Sequence, residues 1–178
     1  MTVIDFEEIP IHAGSIRVTV LNNSVDTPKK IFMRLLEEHN TIGNPKYMLD
    51  FTNKVKKHII DFNTEIKRLS KDYKIAGYGA SGRANMFCNL TNLDENVVQF
   101  IVDESPERCG RYIANTEIPI VDIDTLKSSD VDLLIIFAWN YSKMIIEKTQ
   151  FRKFKYLVAF PKVQLVDSYE ELEGFDSI

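Results

Sequence analysis

The sequence predicts an α/β protein, a parallel sheet in a three-layer α/β/α arrangement, preceded by a strand and a helical arm. Three observations carry that expectation. "VDLLIIFAW" (Val131–Trp139) and "KYLVAFP" (Lys155–Pro161) are near-continuous apolar runs, as strands covered on both faces are. Segments of helical periodicity alternate with such runs, the order that builds parallel sheets. "KIAGYGASGRAN" (Lys74–Asn85) places Gly77-x-Gly79-x-x-Gly82 where a strand gives way to a helix, the spacing of Rossmann-like nucleotide-binding turns.

The elements follow in order. "SIRVTVL" (Ser15–Leu21) is rich in β-branched residues and reads as a strand. "NNSVDT" is a turn cluster in which Asp26 or Thr27 can cap a helix through "PKKIFMRLLEEH", with Pro28 in its first turn. "NTIGNP" breaks that helix, and a second runs from Lys46 to Leu69. Its apolar positions Tyr47, Met48, Phe51, Val55, Ile59, Phe62, Ile66 and Leu69 predict one buried stripe, with a solvated lysine face between them. Then come a strand at "YKIAGYG", a short helix at "GRANMFCNLTNL" and a strand at "VVQFIVDE". "IPIVDI" is a short strand or turn, and "VDIDTLKS" a short helix. After the strand "VDLLIIFAW", "NYSKMIIEKTQ" forms a helix and "KYLVAFP" the closing strand. The acidic tail "DSYEELEGFDSI" is expected to be loose. The division is a strand and helical arm over 1–70, a core over 71–166 and a tail over 167–178.

At 178 residues the chain is long enough to bury a sizeable core. A net charge of −4 without a basic stripe argues against nucleic acid as a partner. No apolar run is long enough for a membrane span and no signal peptide is evident, so a cytoplasmic protein is expected. Cys88 and Cys109 lack CxxC spacing and read as buried, reduced thiols. His12, His39 and His58 are scattered, so no metal site is expected.

In a strand–turn–helix unit the first glycine permits the tight turn, the second lets a ligand approach the backbone, and the third lets helix pack closely on strand. The N–H groups opening the helix attract anions. Ser81 adds a hydroxyl and Arg83 a bidentate cation. Asp103 ends the next strand about twenty residues on, where an acid commonly receives ribose hydroxyls. The motif is compatible with NAD, with another phosphorylated ligand, or with glycines that are purely structural. On the ligand reading, valine at Gly79 is expected to block a diphosphate without unfolding the chain.

Five ordered stretches resemble the C-terminal domain of sugar C-methyltransferases: "IPIHAGSIRVTV", "GYGASGRAN", "FIVDESPERCGRYIANTEIPI", "IIFAWNY" and "VAFPKVQLV". Together they cover Ile9 to Val166. Ala13 departs from the glycine usual in the first, and Ala114-Asn115 from the usual "PGT" turn of the third. The resemblance implies a Rossmann-like domain that anchors a nucleoside diphosphate sugar. In the family, a zinc module and a middle domain binding S-adenosylmethionine precede it, and the catalytic residues lie mainly in that middle domain. It therefore implies no cofactor and no catalytic residue here, and a SAM-binding domain or subunit as partner. The chain corresponds to the third domain, as a fragment or as a free-standing product. A regulatory nucleotide-sugar sensor and an NAD-binding domain are the alternatives.

The resemblance also implies contacts. His12, Ser15 and Arg17 belong to the first signature, and positions 15 and 17 share a face of a strand. Gly77, Tyr78, Gly79, Ala80, Ser81, Gly82 and Arg83 make up the glycine turn. Tyr78 is either a stacking platform or a core aromatic. Trp139 and Asn140 lie at the carboxyl end of a strand, where open α/β sheets bind ligands, although Asn140 also suits a helix N-cap. Arg111 and Tyr112 sit in a loop beside the expected cleft.

Overall fold

The structure is a computed structural model and describes residues 1–9, 11 and 14–174. The chain divides into two compact units, one over the residues up to Lys57 and one over His58–Gly174.

In the first unit, β1 (Thr2–Ile9) and β2 (Ser15–Leu21) pair antiparallel, with Phe6 opposite Val18 and Glu7 opposite Arg17. β2 is legible in the sequence and β1 is not. A register shift between Val3 and Asp5 breaks the period-2 alternation by which a strand is recognised. Next come α1 (Lys29–Thr41) and α2 (Pro45–Leu69), which belongs to the second unit from His58 onward. Pro28 occupies the N-cap of α1 with no side-chain cap, so neither Asp26 nor Thr27 plays the expected part. Instead, Lys30 ties the helix to β1 through Asp5 (2.7 Å) and the Phe6 carbonyl (2.5 Å).

The apolar stripe of α2 is buried only toward its C-terminal end. Phe62, Ile66 and Leu69 are core residues, while Tyr47 and Phe51 are 48% and 54% exposed. Periodicity names the face a helix would bury and does not supply the surface that covers it.

The second unit is a six-stranded sheet flanked by helices. Its strands are β3 (Ile75–Tyr78), β4 (Ile101–Val102), β5 (Ile120–Val121), β6 (Leu133–Ile136), β7 (Lys155–Val158) and β8 (Gln164–Val166), in the order β5-β4-β3-β6-β7-β8. β3 to β7 are parallel and β8 runs antiparallel to β7. The helices are α3 (Gly82–Thr91), α4 (Ile123–Ser128) and α5 (Ser142–Lys148). The Rossmann-like α/β expectation therefore holds, with one correction: β7 does not close the sheet. β8 does, and the tail is fastened to it. Gln164 exchanges hydrogen bonds with the Glu173 backbone at 2.8 and 3.0 Å, and Leu172 is buried. Asp167 also pairs with Lys155 of β7 at 2.6 Å, so residues 167–174 are tied to the sheet, and the last four lie outside the described residues.

Every residue of β3 and β6 is buried, the reason these segments read as unbroken apolar runs. The core joins Phe62, Ile66 and Leu69 of α2 to Phe87 and Cys88 of α3 and to the sheet. The Phe62 and Phe87 rings meet edge to face at 4.8 Å. Between β3 and β6 the strand order reverses, and ligands of open α/β sheets bind at the carboxyl ends beside such a point. Among the described residues, no helix is long and apolar enough to cross a membrane.

Candidate functional site

The glycine turn leaves the carboxyl end of β3, at the point where the strand order reverses, and its three glycines do three different things. Gly77 is a packing glycine inside the strand. A Cβ there would lie 2.5 Å from Phe137 Cε2 and 2.8 Å from Ile101 Cγ1. Gly79 has φ +92°, and its Cβ would lie 2.7 Å from that of Ala138. Its conformation and the close approach of β6's extension both require glycine. Gly82 opens α3, and a Cβ there meets nothing within 4 Å. The third glycine therefore does not serve helix–strand packing, as the spacing suggested. It keeps the helix N-terminus bare.

The backbone donors divide in the same way. Gly79 N–H bonds the Val102 carbonyl (2.8 Å) and Ser81 N–H the Gly79 carbonyl (2.9 Å). Ala80 is buried, and its N–H bonds Asp103 Oδ2 at 2.7 Å. The helical bonds begin only with Asn85 N–H to the Ser81 carbonyl. The N–H groups of Gly82, Arg83 and Ala84 precede them and have no acceptor within the helix. Ser81 is the N-cap residue, yet its hydroxyl makes no cap bond. Among the described residues Ser81 Oγ is buried without a partner, and so is Asn140 Oδ1. Uncommitted N–H groups at a helix start, with an idle hydroxyl beside them, suit an anion.

Asp103, expected to receive ribose hydroxyls, is 7% exposed. Its carboxylate accepts hydrogen bonds from Ala80 N–H, from Ser105 N–H (2.9 Å) and from the Arg108 guanidinium (3.1 Å). Its acceptor capacity goes into holding the turn. Tyr78 belongs to the core: it is buried and donates its hydroxyl to Glu104 at 2.9 Å. Burial pushes its phenol well above the ordinary tyrosine range. Glu104 also pairs with Lys148 of α5 at 2.7 Å. Neither Glu104 nor Lys148 is among the site residues expected from the sequence. Glu104 had a local signal, the second acid of "VDES"; Lys148 had none.

Arg83 lies over the Trp139 ring, 5.0 Å from its centroid. That cation–π contact restrains the guanidinium beside the helix N-terminus. Asn140 is not the N-cap of α5. It lies in a 3-10 turn, Trp139–Tyr141, and Tyr141 takes the cap position. Ser15 and Arg17 are exposed on β2 of the first unit. Ser15 Oγ bonds the Ile11 carbonyl at 2.9 Å and Arg17 pairs with Glu7 at 2.5 Å. His12 and Ala13 lie outside the described residues. Arg111 and Tyr112 are exposed, with Tyr112 bridged to Pro119. The Ala114-Asn115 departure is absorbed by α3: Asn85 and Asn89 bond the Ala114 backbone at 2.9 and 3.0 Å, and Asn115 takes φ +60°.

Cys88 is buried and its thiol pushed up to about 12 by burial. Cys109 is only half-buried, correcting its expected place in the core.

Trp139 leans on Phe160 (centroids 4.8 Å) and Phe160 on His58 (4.5 Å). His58 Nε2 is buried with no partner among the described residues. Burial lowers the imidazole below its ordinary value of 6.5, against the opposing pull of Asp61 and of a hydrogen bond to the Ala159 backbone. The unfolded chain then binds the proton first as pH falls. Stability from the neutral ring is complete above about pH 6.5 and declines below it, through the lowered folded value. Thermal unfolding at pH 5 and 7.5 is expected to show a smaller pH effect in His58→Leu than in the wild type. An equal effect in both would show that His58 contributes nothing to it.

A family model described as the C-methyltransferase C-terminal domain matches residues 10–161. No curated protein gives a significant match.

Proposed function

The chain belongs to the C-methyltransferase C-terminal domain family, and from that premise we propose that it anchors a nucleoside diphosphate sugar for methylation at carbon. The methyl donor and the catalytic base belong, on this reading, to a separate SAM-binding domain or subunit. What supports the reading most is the start of α3, where the N–H groups of Gly82, Arg83 and Ala84 have no acceptor within the helix. They sit at the sheet's switch point, under open space at Gly82. The diphosphate accepts from these donors, and Arg83, restrained on Trp139, adds a charge-assisted contact. Ser81 Oγ and Asn140 Oδ1 remain as partners for phosphate and sugar hydroxyls. Asp103, the acid that the spacing offered for a ribose, is already engaged in the turn.

Calorimetric titration with dTDP-, UDP- and GDP-linked sugars, NAD and S-adenosylmethionine tests the proposal. One class of nucleotide sugar is expected to bind, and NAD and the methyl donor are not. Arg83→Ala removes one charged hydrogen bond, a loss of about ten- to a hundredfold in affinity. Failure of every nucleotide sugar to bind, or micromolar binding of the methyl donor, would overturn it.

A further inference from the structure

Asp103 and Glu104 are adjacent in sequence and face different tasks. Asp103 turns to the glycine loop and is saturated there. Glu104 points elsewhere, and its side chain is 48% exposed. Like Asp103 it lines two cavities, but the Asp103 carboxylate is already engaged there. The smaller, about 140 Å³, also includes Gly79, Ala138 and Tyr141. The larger, about 490 Å³, extends past Pro106 and Ile123 to Lys148. That volume lies within the roughly 300–1,000 Å³ usual for small-molecule sites. Gly79 of the glycine turn lines the smaller cavity, and Glu104 is common to that cavity and the larger cleft.

We infer that Glu104, not Asp103, is the carboxylate that accepts the ribose hydroxyls of the bound nucleoside diphosphate, with the base in the cleft toward Ile123. The inference rests on the nucleotide-sugar reading above. Lys148 and the Tyr78 hydroxyl both bond one oxygen of the carboxylate, Oε1, and fix its orientation. Their hydrogen bonds also hold the Glu104 carboxyl below the ordinary glutamate range, so at neutral pH it is an acceptor only. A carboxylate has about four acceptor positions, and these two partners leave the remainder for ligand hydroxyls. Tyr141 and Ile123 supply apolar surface on either side.

The test compares a nucleoside diphosphate with its 2′,3′-dideoxy counterpart, on wild-type protein and on Glu104→Gln and Glu104→Asp. Hydroxyl-to-carboxylate bonds contribute enough that the wild type is expected to prefer the hydroxylated ligand by about tenfold or more. Glu104→Gln should bring that preference close to unity, while its affinity for the dideoxy ligand stays within about threefold of wild type. Glu104→Asp, shorter by one methylene, should reduce the preference as well, and serves if the glutamine variant does not fold. A merely structural glutamate would weaken both ligands equally and leave the ratio unchanged. An unchanged ratio in a folded variant, or no preference in the wild type, overturns the inference while the nucleotide-sugar reading stands. Absence of binding by either ligand to wild-type protein overturns both.

Discussion

Valine in place of Gly82 is expected to leave the fold intact and to reduce affinity for the nucleotide sugar by more than about a hundredfold. Gly82 takes an ordinary helical conformation, and a Cβ there meets no atom within 4 Å. The first helical position also places no demand on its own N–H. Nothing lies where the first atom of the new side chain would go. The space it enters is where a diphosphate must lie to reach the N–H groups of Gly82, Arg83 and Ala84. Losing two charge-assisted hydrogen bonds of about 1.5–3 kcal/mol each accounts for the size of the effect. Calorimetry supplies the affinity and thermal unfolding the control. Wild-type affinity in a folded Gly82→Val protein would remove the helix start from the binding site.

Gly79→Val is expected to do something different: to cost roughly 3 kcal/mol of stability or more. The residue stands at φ +92°, where a β-branched side chain is strained by about 1–3 kcal/mol. Its Cβ would also press on Ala138 at 2.7 Å, and overpacking of that kind costs about 1–3 kcal/mol further. The sequence offers Gly79 as the clean test of ligand binding, because it places the loop at the sheet's edge rather than in its core. The Ala138 contact makes it a test of folding instead. Urea unfolding of the two variants side by side should separate them, with Gly82→Val near wild type and Gly79→Val shifted to lower denaturant. Equal midpoints would mean that β6's extension yields to the new side chain.

The contrast shows how the motif is legible and where legibility stops. Gly77, Gly79 and Gly82 announce a strand–turn–helix unit through spacing alone, since only certain residues can occupy the turn. Which glycine answers to packing, which to backbone conformation and which to open space depends on Phe137, Ile101 and Ala138. Those residues lie more than twenty positions away. Asp103 and Glu104 make the same point. Their position after an apolar strand marked the neighbourhood, and nothing local distinguished the acid that braces the turn from the more exposed acid beside it. Arg108 and Lys148 decide it, one across a loop and the other from α5.

Local chemistry carried the order of strands and helices, the glycine turn and the family signatures, because propensity, apolar patterning and turn residues act between near neighbours. It missed β1, whose bulge disrupts alternation, and β8, three residues that gain their partner only by folding back antiparallel on β7. It read one continuous stripe along α2, of which Phe62, Ile66 and Leu69 are the part buried in the core. The placing of Arg83 on Trp139, the saturation of Asp103 and the exposure of Glu104 were decided by tertiary structure alone. Each depends on a partner brought from a distant segment by the order in which the strands pair. Hydrogen bonds and packing saturate a side chain according to what lies beside it in space.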